Sequence, residues 1–389
     1  MRDGKWTLAN DDLHNLLAGT PLACPVEPFG GAGDFDISAS GIAFVSKDTE
    51  LNPARNTKTD LYYAPLTSFS HPPSKLQVVE TPGLQGYTLS PVFSNDGKQL
   101  IFARMRNQQY ETDKQRLLKV CDVEDLSHVE EFYVTKDGNG GWDMRPDLIM
   151  WSYDDKELYV AADEHGRTKL WRLPSSPSLA KDLPEAIYEV GSVVDARVLG
   201  RTRKLLISSR SRVENSSYSV LDLDRKGIKE ISSSSKGGKS FGLKSSQCLD
   251  IWYAGSREYD NHALVMVPSD FDKTKQYPVA FLIHGGPQSA WSDDWSTRWN
   301  PAIFAEQGYI VICPNPTGST GYGQEHTDAI AGNWGGAPYD DIVKCFEYVE
   351  KELDYADTDR AVALGGSYGG YMICELRHRH LWLCKAQRD

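Results

Sequence analysis

The sequence predicts two architectures in series: an incomplete β-propeller over residues 1–240, then over 241–389 the N-terminal part of an α/β domain on a doubly wound, mostly parallel sheet. Three observations predict it. A polar turn followed by a short aromatic and aliphatic strand recurs through the first part. Strands and helices alternate in the second, and a Gly-Gly-Ser-Tyr-Gly turn ends the last strand of that alternation.

The recurring theme reads "FDISASGIAFVSKD", "PVFSNDGKQLIFARM", "IMWSYDDKELYVAADEHGRTKLWRL" and "ARVLGRTRKLLISSR", each followed by a further strand such as "DLYYAPL", "LLKVCDV" or "YSVLDL". Aligned at Phe35, Val92, Met150 and Ala196, the copies step by 57, 58 and 46 residues. Short strands at that period read as four-stranded propeller blades. Four or at most five such blades fit before residue 240. Asp96-Gly97 has the chemistry of a tight two-residue hairpin turn, because Gly accepts positive φ. The stretch 225–247, rich in Ser, Gly and Lys, is read as a linker or a last, weak strand, and the domain boundary is placed there.

Beyond it, "NHALVMVPSD", "PVAFLIHGGP", "YIVICPNP" and "RAVALGG" read as strands, the second apolar without interruption from Val279 to Ile283, as suits a strand buried on both faces. Asn300-Pro301 opens a helix with an N-cap residue and Pro at the first helical position. Ile342, Phe346, Val349 and Leu353 fall on one face of a second helix. Alternating strands and helices imply a sheet covered on both faces.

Composition narrows the function. Of 389 residues, 40% are hydrophobic and 25% charged, ordinary for a globular protein. A net charge of −12 and an isoelectric point near 5.3 argue against nucleic acid as a partner. No run of about 18 apolar residues is present to span a membrane. The N-terminus has early acids and no apolar core of a signal peptide, so the chain as written is expected in the cytoplasm. Seven cysteines, Cys24, Cys121, Cys248, Cys313, Cys345, Cys374 and Cys384, are scattered without a C-x-x-C pair, which excludes a zinc knuckle or redox motif by spacing and makes buried thiols the expectation. Asn215-Ser216-Ser217 is a glycosylation sequon, relevant only to a secreted form.

The chemistry rests on Gly365-Gly366-Ser367-Tyr368-Gly369, which fits the G-x-S-x-G nucleophile elbow of α/β-hydrolases and lies between a buried strand and a helix-like segment. Ser367 is the expected nucleophile. His284-Gly285-Gly286-Pro287 follows another buried strand, where this architecture places a second oxyanion donor, so the amides of Gly286 and Tyr368 are the expected pair. His284 is read as a loop-bracing imidazole and not as the base, because in this architecture the base follows the nucleophile in sequence. Acyl transfer by such a site calls for no metal or organic cofactor.

Residues 282–372 carry, in order, "HGGP", "NPTGSTGYG", "NWGG" with "PYDD", and "GGSYGG". This set resembles the hydrolase domain of the prolyl oligopeptidase family of serine peptidases, nearest to the fungal dipeptidyl-peptidase V group. From about Asp11 to Met372, "FGGAGDFDIS" and "WSYDDKELYVAADEHGR" included, the chain resembles the later blades and hydrolase half of that group. The resemblance implies a propeller capping an α/β-hydrolase, short peptides as substrates, release of N-terminal dipeptides through an acyl-enzyme, and secretion. Family members begin with a signal peptide and earlier blades, whereas this chain starts at what resembles mid-propeller, and the likeness ends after Met372.

The hydrolase order is Ser, then Asp or Glu, then His, and two or three further strand-helix units, roughly 60 to 100 residues, are needed to reach them. Only 22 residues follow Ser367, with Glu375 and Asp389 as the acids and His378 and His380 as the histidines. On a continuing helix His378 stands about 16 Å from Ser367 along the axis. The triad is therefore expected to be incomplete within 1–389, as in a chain truncated at both ends. Two other readings stay open: a non-catalytic, propeller-based interaction protein carrying a hydrolase remnant, and an esterase that shares the elbow.

Overall fold

Each polar turn read in the first half ends one strand and begins the next. The structure, a computed structural model, describes residues 15–28, 30–66 and 75–379. Strands β1 (Phe35–Ile37), β2 (Gly41–Lys47), β3 (Thr59–Pro65) and β4 (Gln77–Val78) form one four-stranded sheet. A second contains β5 (Thr88–Phe93), β6 (Leu100–Arg104), β7 (Arg116–Asp122) and β8 (Asp125–Glu131), and a third β9 (Pro146–Trp151), β10 (Glu157–Glu164), β11 (Arg167–Pro174) and β12 (Glu185–Tyr188). The fourth contains β13 (Ser192–Val198), β14 (Lys204–Arg210), β15 (Ser217–Asp222) and β16 (Gly227–Ser233). In each of these four sheets the strands pair in chain order.

Burial explains the sequence pattern. The inner strand β6 is buried at every position, whereas β16 is exposed along almost its whole length. The segment 225–247 thus contains an outermost strand, which presents little apolar surface because only one neighbour covers it, and then two single-turn 3₁₀ helices.

The Asp96-Gly97 turn differs from the two-residue hairpin expected. The ladder closes at Ser94 and Gln99, where Ser94 N–H donates to Gln99 O (2.9 Å) and Gln99 N–H to Ser94 Oγ (2.9 Å). That side-chain acceptor lengthens the loop to residues 95–98, with Gly97 at φ +70°. The same device recurs 58 residues on: Ser152 N–H donates to Glu157 O (2.8 Å), Glu157 N–H to Ser152 Oγ (3.0 Å), and Asp155 takes φ +56°.

By spatial clustering the chain divides into two units. One comprises the described residues up to Gly140 with Asp154–Lys156 and Pro174–Lys181; the other comprises Gly141–Tyr153, Glu157–Leu173 and the residues from Asp182 onward. The second unit therefore holds the third and fourth four-stranded sheets together with a five-stranded sheet.

That sheet has β17 (Cys248–Ala254), β18 (Asp260–Met266), β19 (Tyr277–Ile283), β20 (Ile310–Asn315) and β21 (Ala356–Gly365) in the order β17-β18-β20-β19-β21. It is mixed rather than mostly parallel: β17–β18 and β18–β20 are antiparallel, β20–β19 and β19–β21 parallel. The link from Gly255 to Tyr259 is too short for a crossover, which forces β17 and β18 into a hairpin. Helices α1 (Pro301–Ala305), α2 (Gln324–Asp328), α3 (Ala337–Glu352) and α4 (Tyr368–Arg379) complete this part. Asn300 caps α1 by accepting Ala302 N–H at 3.0 Å. Phe346 and Val349 of α3, with its C-cap Leu353, pack on Val265, Phe281 and Ile312, while Ala302 and Ala305 of α1 pack on Leu264, Leu282 and Val311. The sheet is thus covered on both faces.

Of the cysteines, Cys313 and Cys345 are buried, Cys24, Cys121 and Cys248 are half-buried, Cys374 is exposed, and Cys384 lies outside the described residues. Among the described residues no helix is long and apolar enough to cross a membrane.

One carboxylate ties the end of the fourth sheet to the segment that follows it. Glu214, 7% exposed, accepts from Ser235 N–H (3.0 Å), Gly237 N–H (2.9 Å), Ser216 N–H (3.2 Å) and the Ser233 hydroxyl. Burial alone would raise its pKa, but these donors outweigh burial and hold it at about 2. Because the folded pKa is depressed, its contribution is present above the ordinary carboxylate range near pH 4.5 and is lost as pH falls toward 2. Glu214→Gln is expected to cost about 1–3 kcal/mol at pH 7, read as a lower urea midpoint, with wild type and variant converging near pH 2.

Candidate active site

Strand β21 runs to Gly365, which pairs with Ile283 at the end of β19, and α4 begins at Tyr368. Ser367 stands between them at φ +56°, a conformation costly for a residue with a Cβ. Its neighbours relieve the crowding. A Cβ on Gly369 would lie 2.2 Å from the Ile283 carbonyl oxygen, and one on Gly365 would lie 2.7 Å from the Gly369 carbonyl carbon. Glycine at both places lets the first turn of α4 press on the end of β19, so that the serine occupies the tip of a sharp strand-to-helix turn.

The loop after β19 runs beside that tip. A Cβ on Gly285 would lie 3.5 Å from Ser367 Cβ and 4.0 Å from its Oγ. Gly286 sits at φ +120°, accessible in practice only to glycine. Neither the Gly286 nor the Tyr368 amide N–H meets a hydrogen-bond acceptor among the described residues. Two unspent donors thus flank the serine.

His284 is buried, with Nδ1 2.7 Å from Gly285 O and Nε2 3.0 Å from Ser319 Oγ. Burial pushes its pKa down. Nδ1–H donates to the Gly285 carbonyl, while the Ser319 hydroxyl beside Nε2 donates to Pro316 O (2.7 Å), and both contacts serve to brace the loop. On α4, Glu375 pairs with Arg379 at 2.7 Å, and His378 lies 11 residues beyond Ser367. His380 and Asp389 lie outside the described residues. Among the described residues no side chain is hydrogen-bonded to the Ser367 hydroxyl.

A cavity of about 420 Å³ opens beside the serine, with Trp291, Trp299, Phe304, Leu282 and Arg298 in its wall. Trp299 ring carbons come within 3.6–3.7 Å of where a Cβ on Gly366 would stand, so the elbow backbone forms one side of an aromatic-lined space. Its character is apolar with one cation, the Arg298 guanidinium lying 5.3 Å from the centre of the Trp299 ring.

Several residues that position this wall went unassigned in the sequence. Arg167, just past the β10–β11 turn, makes two 2.9 Å bonds to the Asp250 carboxylate; Asp250 lies 2.9 Å from His262 Nε2, and His262 Nδ1 lies 2.6 Å from Tyr322 Oη. Tyr322 accepts from Asn315 Nδ2 at 2.7 Å, and Asn315 holds Trp291 at both its N–H (2.7 Å) and its carbonyl (2.9 Å). Trp291 Nε1–H donates to Leu282 O at 2.7 Å. Gly166 at the turn is needed because a Cβ there would lie 3.1 Å from Trp291 O. Tyr322 and Gly166 belong to the quoted "NPTGSTGYG" and "ADEHGR" stretches, so the signal was visible but its partners were remote in sequence. Similarly, "NWGG" meets the elbow where Tyr368 Oη donates to Trp334 O (2.6 Å), while buried Asp341 of "PYDD" ties two other loops by accepting Ser256 N–H (2.6 Å) and Thr317 N–H (2.8 Å).

Residues 295–382 match the model of the prolyl oligopeptidase family. That stretch is similar to a domain of the family. The match runs past Met372, where the sequence resemblance was expected to stop. Dipeptidyl-peptidase 5 of Trichophyton tonsurans and dipeptidyl-peptidase 5 of Arthroderma otae are each 40% identical to it over 369 residues, 93% of this chain and 49% of theirs. The chain spans about half the length of the curated relatives it matches. Among solved structures, the uncomplexed acylaminoacyl peptidase of Pyrococcus horikoshii aligns at TM-score 0.68 with 14% identity, covering 91% of this chain and 51% of that one. Dipeptidyl peptidase 4 of Porphyromonas gingivalis aligns at 0.59 with 18% identity, covering 89% and 46%. These two are likenesses of fold.

The elbow makes a paired prediction. Gly369→Ala is expected to lower stability by at least about 2 kcal/mol through overpacking against Ile283 O, whereas Gly370→Ala, whose Cβ would meet nothing closer than 3.6 Å, changes it by less than about 1 kcal/mol. Equal urea midpoints for the two variants would contradict the close approach.

Proposed function

We propose that the protein is a serine-type dipeptidyl-peptidase, in which Ser367 forms an acyl-enzyme with a peptide carbonyl and the Gly286 and Tyr368 amides bind the oxyanion. The observation that carries this reading is the serine at positive φ between β21 and α4, flanked by two unpaired N–H donors and facing a cavity. The peptidase names of the relatives support it. In the same reading, the four-stranded sheets of residues 1–240 are propeller blades and residues 241–389 are the N-terminal part of an α/β-hydrolase domain.

In the proposed reaction Ser367 Oγ attacks the scissile carbonyl, and its proton passes to a base. The carbonyl oxygen takes the negative charge between the two amides. The C–N bond then breaks, the leaving amine carries off the proton, and water hydrolyses the Ser367 ester to release the dipeptide. The reading requires an imidazole at Ser367 that the described residues do not place there, since His284 is spent on Gly285 and Ser319. Trp299 and Phe304 favour an apolar side chain next to the cleaved bond.

The test is labelling by a fluorophosphonate probe together with hydrolysis of a dipeptidyl anilide and an acetate ester. Ser367 is expected to carry the label, Ser367→Ala to lose it, and anilide hydrolysis to fall by orders of magnitude in that variant. A faster ester reaction would favour an esterase. Identical behaviour of wild type and Ser367→Ala would favour a non-catalytic interaction protein.

A further inference from the structure

The β7–β8 hairpin, far in sequence from the elbow, carries a group of donors that the peptidase reading leaves unused. Leu118 and Val120 of β7 face the core, so Lys119 and Cys121 face the other way. Lys119 pairs with Glu130 and Val120 with Val129, which brings Cys121 alongside His128 and Glu130 on that outer face. One donor atom from each of Cys121, His128 and Glu130 lies within 4.8 Å of the others, and His128 Nε2 is 3.4 Å from Glu130 Oε1.

We infer that Cys121, His128 and Glu130 form a zinc-type metal site on this hairpin, completed by solvent. The donor set decides the class of ion. Thiolate, imidazole and carboxylate are the three ligand types zinc takes, whereas calcium and magnesium demand oxygen alone. Thiolate and carboxylate together supply two negative charges, matching a divalent cation. Half-exposed Glu130 and exposed His128 leave the fourth position open to water. On binding, the Cys121 thiol gives its proton to solvent and a sulfur–metal bond forms, while His128 binds through a ring lone pair and stays neutral. Without metal the thiol is held protonated by burial and by Glu130. The ion would staple β8, the outermost strand of its sheet, to β7. A C-x6-H-x-E spacing is invisible to C-x-x-C reasoning, because the residues meet only through strand pairing.

Titration of the metal-free full chain with Co²⁺, followed by sulfur-to-cobalt absorption in the near ultraviolet, tests the site. One equivalent is expected to bind saturably and to be displaced by Zn²⁺. Cys121→Ser should abolish the band, His128→Ala should weaken binding by more than about tenfold, and Cys374→Ser, at the exposed thiol of α4, should leave it unchanged. Zn²⁺ should raise the unfolding midpoint of the wild type and not of Cys121→Ser. Absence of saturable binding, retention of the band in Cys121→Ser, or an equal zinc shift in both proteins would overturn the assignment.

Discussion

A strand can hand over to a helix through a single exposed serine only where two backbones are allowed to touch. Here the first turn of α4 rests on the Ile283 carbonyl, and no side chain larger than hydrogen fits at Gly369 or Gly365. This contact sets the positive φ of Ser367, and with it the direction of the hydroxyl and of the Tyr368 amide. It also brings the loop after β19 alongside, because β19 is the strand against which both β21 and α4 are aligned. The cost of the unfavourable backbone conformation is spread over packing in Ile283, Ile330, Tyr339, Met372 and Leu376, which form one buried cluster with Tyr368.

Polar contacts then hold the surroundings in place. The Arg167–Asp250–His262–Tyr322–Asn315 chain reaches Trp291 from the β10–β11 turn; its outer Arg167–Asp250 pair is partly exposed, while His262 and Asn315 are buried, where an unpaired donor or acceptor would be expensive. Asp250 owes its lowered pKa to His262 and Arg167 acting against its partial burial. Asp341 ties the loop after β17 to the loop after β20 by taking the Ser256 and Thr317 amides at once. The cavity wall at Trp291 is thus held by side chains drawn from as far along the chain as residue 167.

Much of this was legible in order of sequence locality. The α3 face of Ile342, Phe346, Val349 and Leu353, the Asn300 cap and the serine turn each depend on a few adjacent residues, and each stands where its pattern placed it. The strands were legible because inner positions are apolar and turns polar. Direction within the sheet was not, since periodicity carries no sign; the antiparallel β17–β18 pair follows from the short link 255–259 instead. The Ser94 and Ser152 turns escaped because a side-chain acceptor takes one of the two bonds that close the ladder. The network around Tyr322 escaped because its members lie up to 155 residues apart and nothing in one member specifies the next.

The central claim is that Ser367 and two free amides form one acyl-transfer site. A crystal structure of the chain inactivated by a dipeptidyl phosphonate tests it most directly. The account predicts phosphorus bonded to Ser367 Oγ and a phosphonyl oxygen within hydrogen-bond distance of both the Gly286 and Tyr368 nitrogens. A phosphonyl oxygen turned away from those amides, or phosphonate bonded to any other residue, would contradict it.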